Sequence, residues 1–151
     1  RKASSAASDV YKRQSRGGFM ILKLNMSSET PIYVQLRNQI VLGIGRGELQ
    51  LGEGLPTVRQ LAQDVGVNTM TVNKAYTALK NEGYIEIDRR HGARVSPAVR
   101  LDGEFREKLE GELALLIAES GLKGMEKQDF LTLCGQIFDQ MSGLHPTAQG
   151  V

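Results

Sequence analysis

The stretch that decides the fold is LPTVRQLAQDVGVNTMTV, residues 55–72. Thr57 followed three residues later by Gln60 has the form of a capping box, which starts a helix. Gly66 is suited to end that helix, and Asn68 is suited to cap the next one. Two short helices joined by so tight a turn expose the N-terminus of the second helix. The stretch therefore predicts a helix-turn-helix, whose second helix enters the major groove of DNA.

The residues before this stretch predict one more amphipathic helix. Thr30 fits the N-cap position and Pro31 the first helical position. Isoleucine or leucine then recurs every four residues from position 32 to position 44, which gives a single apolar stripe. Gly45 and Gly47 end the pattern.

The residues after the stretch predict a small hairpin. The second helix of the pair should run to Glu82, with Gly83 as its stop. Its apolar face should consist of Val72, Ala75, Tyr76 and Leu79, which cluster on one side of a helical wheel. Residues 84–87 alternate as a strand, residues 88–92 form a turn, and residues 93–96 form a returning strand. Three helices and a hairpin in this order predict the α+β fold of a winged helix-turn-helix domain over residues 20–97.

Charge and composition divide the rest of the chain. Residues 1–19 carry five basic groups and one acidic group, whereas residues 98–151 carry five basic and nine acidic groups. This difference in charge indicates different roles for the two segments. The first segment lacks a methionine and resembles translated adaptor sequence. We interpret it as a disordered, non-native leader before Met20; a basic arm that tracks phosphates is the alternative.

The segment at residues 98–141 predicts two amphipathic helices. They are too short to bury their apolar faces on each other alone, which favours a partner subunit. Cys134 lies in the second stripe and is expected to be a small buried hydrophobe rather than a redox sensor. Residues 142–151 are expected to be a flexible tail. The predicted dimerisation residues are Leu101, Phe105, Leu109, Leu113, Leu116, Ile117, Phe130, Ile137, Phe138 and Met141.

Candidate DNA contacts lie on three predicted elements. Asn73 can bond an adenine edge and Met70 can lie against a thymine methyl group, whereas Lys74 is better suited to a phosphate. The full set is Thr57 and Arg59 on the first helix of the motif, Asn68, Thr69, Met70, Thr71, Asn73 and Lys74 on the second, and Arg89, Arg90, His91, Gly92 and Arg94 on the hairpin.

Each group also has a plainer interpretation. The polar helix face and the charged hairpin could simply be solvated, and Arg59 could form an ion pair with Asp64 or Glu53. The position of the helix directly after the turn favours DNA contact. Gly92, which allows a positive φ, favours a wing laid along the minor groove.

The sequence lacks the motifs that are typical of other classes of protein. No nucleophile elbow, phosphate loop or dinucleotide fingerprint is present, so the sequence predicts neither an enzyme nor a cofactor site. His91 and His145 have no companion ligands at metal-binding spacing, which predicts no metal site. No apolar run approaches the length of a membrane span.

The chain resembles the GntR family of bacterial transcription regulators across residues 27–96. The resemblance is carried by Pro31-Ile32-Tyr33 with Gln35-Leu36, by residues 52–62 (GEGLPTVRQLA), and by the spacing from Val67-Asn68 to Glu82-Gly83-Tyr84-Ile85. The short C-terminal part is similar to that of the YtrA-like subgroup.

The resemblance implies a cytoplasmic, homodimeric repressor that reads a pseudo-palindromic operator in double-stranded DNA. It places Arg59, Thr69, Met70, Asn73 and Gly92 against the DNA. Several relatives have arginine where this chain has Thr69 and Asn73, which implies a different operator sequence. Two alternatives stay open: a winged-helix module that binds only proteins, and a regulator with an effector site at the dimer helices.

Overall fold

The computed structural model describes residues 9–15, 18–99 and 101–144 in two compact units. The first unit contains β1 (Asp9–Ser15), β2 (Gly18–Leu24), α1 (Ile32–Gly45), α2 (Val58–Val65), α3 (Thr69–Asn81), β3 (Ile85–Asp88) and β4 (Gly92–Val95). The second contains α4 (Gly103–Leu122) and α5 (Lys127–Gln140). None of the described helices is long and apolar enough to cross a membrane.

The core of the first unit lies between the three helices, β2 and the hairpin of β3 and β4. It confirms the predicted apolar faces of α1 and α3. The buried side chains of the described residues come from β2, the three helices, β3, β4 and the loop after α1, and the set is Leu22, Leu24, Leu36, Ile40, Leu49, Leu61, Ala62, Val72, Ala75, Tyr76, Leu79, Ile85, Ala93 and Val95. The burial of these side chains supplies the hydrophobic stabilisation that holds α2 and α3 in one orientation.

The N-terminal hairpin differs from the disorder predicted for residues 1–19. β1 pairs antiparallel with β2, in a register from Asp9 opposite Leu24 to Ser15 opposite Gly18. Leu22 and Leu24 anchor β2 in the core, which leaves an edge of unpaired backbone groups that β1 satisfies. The prediction is corrected for residues 9–15, while residues 1–8 and 16–17 lie outside the described part.

The entry to α1 also differs from its prediction. α1 begins at Ile32, so Pro31 occupies the N-cap position, and no side chain caps this end. Gln35 instead ties the preceding loop to the first turn. Its Nε2 donates to the carbonyl oxygens of Asn25 (2.9 Å) and Thr30 (2.8 Å), and its Oε1 accepts from the Asn25 N–H at 2.8 Å.

The segment at residues 53–55 pairs with β4 and so extends the sheet of β3 and β4. The Leu55 N–H donates to the Ala93 carbonyl at 2.8 Å, and the Val95 N–H donates to the Glu53 carbonyl at 2.8 Å. The segment before α2 therefore lies along β4 through a bridge between Gly54 and Arg94. This pairing fixes the hairpin to the start of the helix-turn-helix.

An ion pair links α1 to the far end of α3. The Arg37 guanidinium donates to both carboxylate oxygens of Glu82, at 2.7 and 3.1 Å, and lies over the ring of Tyr84 at 5.4 Å from its centroid. The hydrogen bond with Glu82 raises the pKa of Arg37. This bidentate contact holds the turn between α3 and β3 against α1.

The second unit leaves its apolar side chains largely uncovered. None of the described residues of α4 or α5 is buried, although Phe130 and Cys134 are half-buried. The exposed apolar side chains extend beyond the two predicted stripes, to Leu115, Leu131 and Leu133. The chain after α5 forms a short 3-10 helix at Ser142–Leu144, where a flexible tail was predicted. Residues 145–151 lie outside the described part.

Candidate nucleic-acid interface

The first helix of the motif begins at a partial capping box. The Thr57 hydroxyl accepts a hydrogen bond from the Gln60 N–H at 3.0 Å, as predicted. In a full capping box the Gln60 side chain would also bond the Thr57 N–H. Here the Gln60 side-chain amide instead donates to the Asp64 carboxylate at 2.6 Å. Arg59 is exposed in the first turn and forms no ion pair within the described residues, so the pairing with Asp64 or Glu53 considered above is absent there.

The turn between α2 and α3 has the geometry that its sequence predicts. Gly66 adopts a left-handed conformation with φ of 77°, and its N–H donates to the Ala62 carbonyl at 2.9 Å. The Asn68 side chain then accepts from the Met70 N–H at 2.7 Å and caps α3. The Asn68 carboxamide oxygen is therefore used in holding the helix start, which reduces its availability to a base.

The outward face of α3 is polar and open. Met70 is 77% exposed, and Thr69, Asn73 and Lys74 are also exposed. Thr71 is half-buried beside them. The opposite face is anchored in the core by Val72, Ala75, Tyr76 and Leu79. An amide, hydroxyls, an ammonium and an apolar tip thus project from a rigidly packed helix, which suits readout of base edges.

Tyr76 fixes α3 relative to the entry of α2. Its side chain is 1% exposed, and its hydroxyl donates to the Pro56 carbonyl oxygen at 2.7 Å. The carbonyl of Pro56 directly precedes the N-cap residue Thr57. This hydrogen bond therefore connects α3 to the start of α2, the helix that carries Arg59.

A groove runs between the start of α1 and the outward side of α3. Its volume is near 830 Å³. At its rim the Lys74 ammonium lies over the ring of Tyr33, 4.5 Å from the centroid. The groove is lined by Pro31, Ile32, Tyr33, Met70, Thr71, Asn73, Lys74, Thr77, Ala78 and Asn81.

The tip of the hairpin is shaped by Asp88. Its Oδ1 accepts from the N–H groups of Arg90 (2.8 Å) and His91 (2.5 Å), and Oδ2 lies 3.3 Å from the His91 Nδ1. These bonds, the one from the His91 N–H above all, lower the pKa of the Asp88 carboxyl. Gly92 follows with a positive φ of 68°, so the tip is a tight, ordered turn.

The charged side chains of the hairpin divide into two kinds. Arg89 and Arg90 are exposed at the tip, with His91 beside them. Arg94 instead pairs across the strands with Glu86, at 3.2 Å. The guanidinium of Arg94 must give up or share this partner before it can contact DNA. Among the described residues, no cluster of His, Cys, Asp or Glu is suited to hold a metal ion.

Comparison with known proteins identifies the family. The model of the bacterial regulatory proteins of the gntR family matches residues 30–95. The HTH-type transcriptional regulator YhcF of Bacillus subtilis is 30% identical over 69% of this chain and 87% of its own length. The chain belongs to the GntR family.

Two further relatives support membership of the YtrA-like subgroup of the GntR family. The HTH-type transcriptional repressor YtrA of Bacillus subtilis is 32% identical over 70% of this chain and 83% of its own. The solved structure of YtrA from Sulfolobus acidocaldarius, a GntR-family transcription factor, is 38% identical, with a TM-score of 0.56 over 64% of this chain and 97% of that one. This GntR-family protein is a DNA-binding transcriptional regulator.

Several residues that shape the GntR-family site were not singled out by sequence reasoning. Gln35 and Tyr33 were quoted only as part of the family's opening motif, yet one ties down the loop before α1 and the other contacts Lys74. Tyr76 was predicted to face the core, but its hydrogen bond to Pro56 was not. A polar atom on an otherwise buried helix face is the signal that would have directed attention to Tyr76.

Proposed function

We propose that this protein is a homodimeric repressor that reads an inverted repeat through two copies of α3. The observation that carries the proposal is the outward face of α3, where Met70 is 77% exposed while the opposite face is fully buried. A helix packed this firmly presents its polar face at a fixed angle, as readout of the major groove requires.

The proposed contacts divide into those that position the protein and those that read sequence. Arg59 stands exposed without an ion-pair partner in the described part of the chain and is suited to a phosphate or a guanine edge. Asn73 and Met70 are the proposed readers of adenine and of a thymine methyl group. Thr69 and Lys74 would contribute further polar contacts from the same exposed face.

The hairpin is the proposed minor-groove element. Arg89, Arg90 and His91 are exposed on a tip that Asp88 holds in one conformation, which lowers the entropy lost on binding. Arginine inserted into a narrow minor groove benefits from its enhanced negative potential. Arg94 contributes less in this proposal because Glu86 already accepts its hydrogen bonds.

The second unit supplies the proposed dimer contact. Leu109, Leu113, Ile117 and Ile137 are each 38–49% exposed on helices that bury no described residue. Burying half of such a side chain contributes on the order of 1 kcal/mol. Together, the ten predicted dimerisation residues of each subunit would be enough to favour a two-fold association.

A named repressor among the relatives supports the proposed repression, and the proposed DNA target supports a location in the cytoplasm. YtrA of Bacillus subtilis is named a transcriptional repressor, and the present chain matches most of its length. A two-fold dimer predicts half-sites about one helical turn apart or slightly more.

The test is selection of bound duplexes from a random pool, followed by affinity measurements at several salt concentrations. A symmetric pair of half-sites and a steep fall of affinity with salt are expected. Recovery of no enriched sequence and no binding at low salt would instead favour a winged-helix module that binds proteins.

The dimer is tested separately by sedimentation equilibrium. Leu113→Lys places a charge in the proposed contact and should shift the protein toward monomer, whereas Lys108→Ala, an exposed change on the same helix, should not. A wild-type protein that sediments as a monomer at micromolar concentration would refute the homodimer. An effector at these helices would appear as a ligand-dependent change in operator affinity.

A further inference from the structure

The groove between α1 and α3 has a chemistry that fits a phosphodiester backbone. Its lining offers hydroxyls from Thr71 and Thr77, amides from Asn73 and Asn81, the Tyr33 ring and one ammonium. Among the described residues, none that lines the groove carries a carboxylate. A surface with several donors, one cation and no anion is electrostatically matched to a phosphate backbone.

Lys74 is the cation of this groove, and its position is set by Tyr33. A free lysine on a helix surface samples many rotamers, and fixing it on binding costs rotamer entropy. The contact at 4.5 Å between the Lys74 Nζ and the Tyr33 ring is a cation–π interaction within the favourable distance range. The face of the ammonium turned away from the ring stays open to solvent, since Lys74 is exposed.

Tyr33 itself is held in place from α1. It lies in the first turn of that helix and packs as a half-buried side chain against the core of the unit. Its ring is thus a rigid platform rather than a second mobile group. A lysine resting on a rigid aromatic ring is organised before DNA arrives, so less entropy is lost when it meets a phosphate.

We propose that the DNA backbone beside the major groove crosses the rim of the α1–α3 groove, and that Tyr33 is a positioning residue that holds the Lys74 ammonium for a phosphate there. The proposal rests on the proposed function, because it extends the DNA contact of α3 to α1. It assigns to Tyr33 a part in operator affinity that does not require Tyr33 to read any base.

The experiment is a double-mutant cycle on operator affinity, with full-length protein and the duplex selected above. Lys74→Ala should weaken binding about tenfold and reduce the salt slope by about 1. Tyr33→Leu should weaken binding about three- to tenfold, yet have less than a twofold effect in the Lys74→Ala background. Tyr33→Phe keeps the ring and should bind within twofold of the wild type.

Two controls separate this role from a general effect on folding or charge. Thermal melts of each variant identify any loss of folded protein, and affinities are compared at a temperature where every variant is folded. Lys23→Ala removes the same charge from the exposed side of β2 and should change affinity by less than twofold.

The outcomes are distinguishable from a failure of the proposed function. If the wild type binds no duplex, the proposed function fails first. If the wild type binds with a steep salt dependence but Tyr33→Leu and Lys74→Ala are additive, or Tyr33→Phe is as weak as Tyr33→Leu, the positioning role of Tyr33 is overturned while DNA binding stands.

Discussion

Removing the Tyr76 hydroxyl should lower the free energy of unfolding, because it deletes the hydrogen bond that connects α3 to the start of α2. Tyr76→Phe keeps the buried ring but deletes the donor that reaches the Pro56 carbonyl at 2.7 Å. The Tyr76 side chain is only 1% exposed, so water cannot easily replace the lost partner. The Pro56 carbonyl is part-buried, and an acceptor shielded from water that loses its hydrogen bond costs about 1–3 kcal/mol.

A loss of about 2 kcal/mol should lower the melting temperature of the first unit by roughly 10 °C, given the usual scaling for domains of 60–100 residues. The measurement is chemical denaturation followed by circular dichroism, which gives the free energy of unfolding directly. At a temperature where the variant is folded, the free energy of operator binding should change by less than the free energy of unfolding. The reason is that Val72, Ala75 and Leu79 still anchor α3.

Tyr33→Phe is the matched control, since it deletes the same atom from a half-buried tyrosine whose hydroxyl has no hydrogen bond among the described residues. Its free energy of unfolding should change by less than about 0.5 kcal/mol. If both variants unfold with the same free energy as the wild type, the hydrogen bond between Tyr76 and Pro56 does not stabilise the fold and the reasoning fails.

Four further experiments test the DNA contacts and the local structures that support them. Arg59→Ala should reduce operator affinity at least tenfold at near-physiological salt, and unchanged affinity in a gel-shift titration would remove Arg59 from the interface. Asn73→Ala should relax base preference in a repeated duplex selection more than it weakens binding to random DNA. Gly66→Ala should lower the free energy of unfolding by about 1 kcal/mol, because a side chain there must adopt φ of 77°; an unchanged denaturation midpoint would contradict this. Because folding lowers the pKa of Asp88 below its ordinary value of 3.8, the order it gives the hairpin is complete above that pH and is lost as pH falls through the lower folded-state pKa. The protection factors of the Arg90 and His91 amides, measured by NMR hydrogen exchange from pH 6 to pH 3, should fall only below about pH 4, and pH-independent protection factors would be the contrary result.

Local chemistry made much of the site predictable. Thr57, Gly66 and Asn68 cap or break helices through their own side chains or their own φ, so the sequence located both helices of the motif to within a residue or two. The apolar repeat of α3 likewise indicated which face is buried and which is open. Met70 and Asn73 were predicted to lie on the open face for the same reason, and both are exposed, as is Arg59 on α2.

Contacts between distant parts of the chain were not predictable in this way. Thr30 and Pro31 form a good local helix start, yet Gln35 holds that loop through bonds to Asn25, ten residues away. Arg94 was predicted to be free for DNA, but folding brings it opposite Glu86. The hydrophobic periodicity of the sequence predicts neither of these two contacts.

The sequence by itself determined where the helix-turn-helix lies and which side of its second helix is exposed, because capping and hydrophobic period act over a few residues. Only the tertiary structure decided what supports that helix: the Tyr76 bond to Pro56, the Tyr33 ring under Lys74, and the strand pairing at Gly54. These contacts depend on distances between segments, and such distances are set when the core packs rather than by any local residue preference.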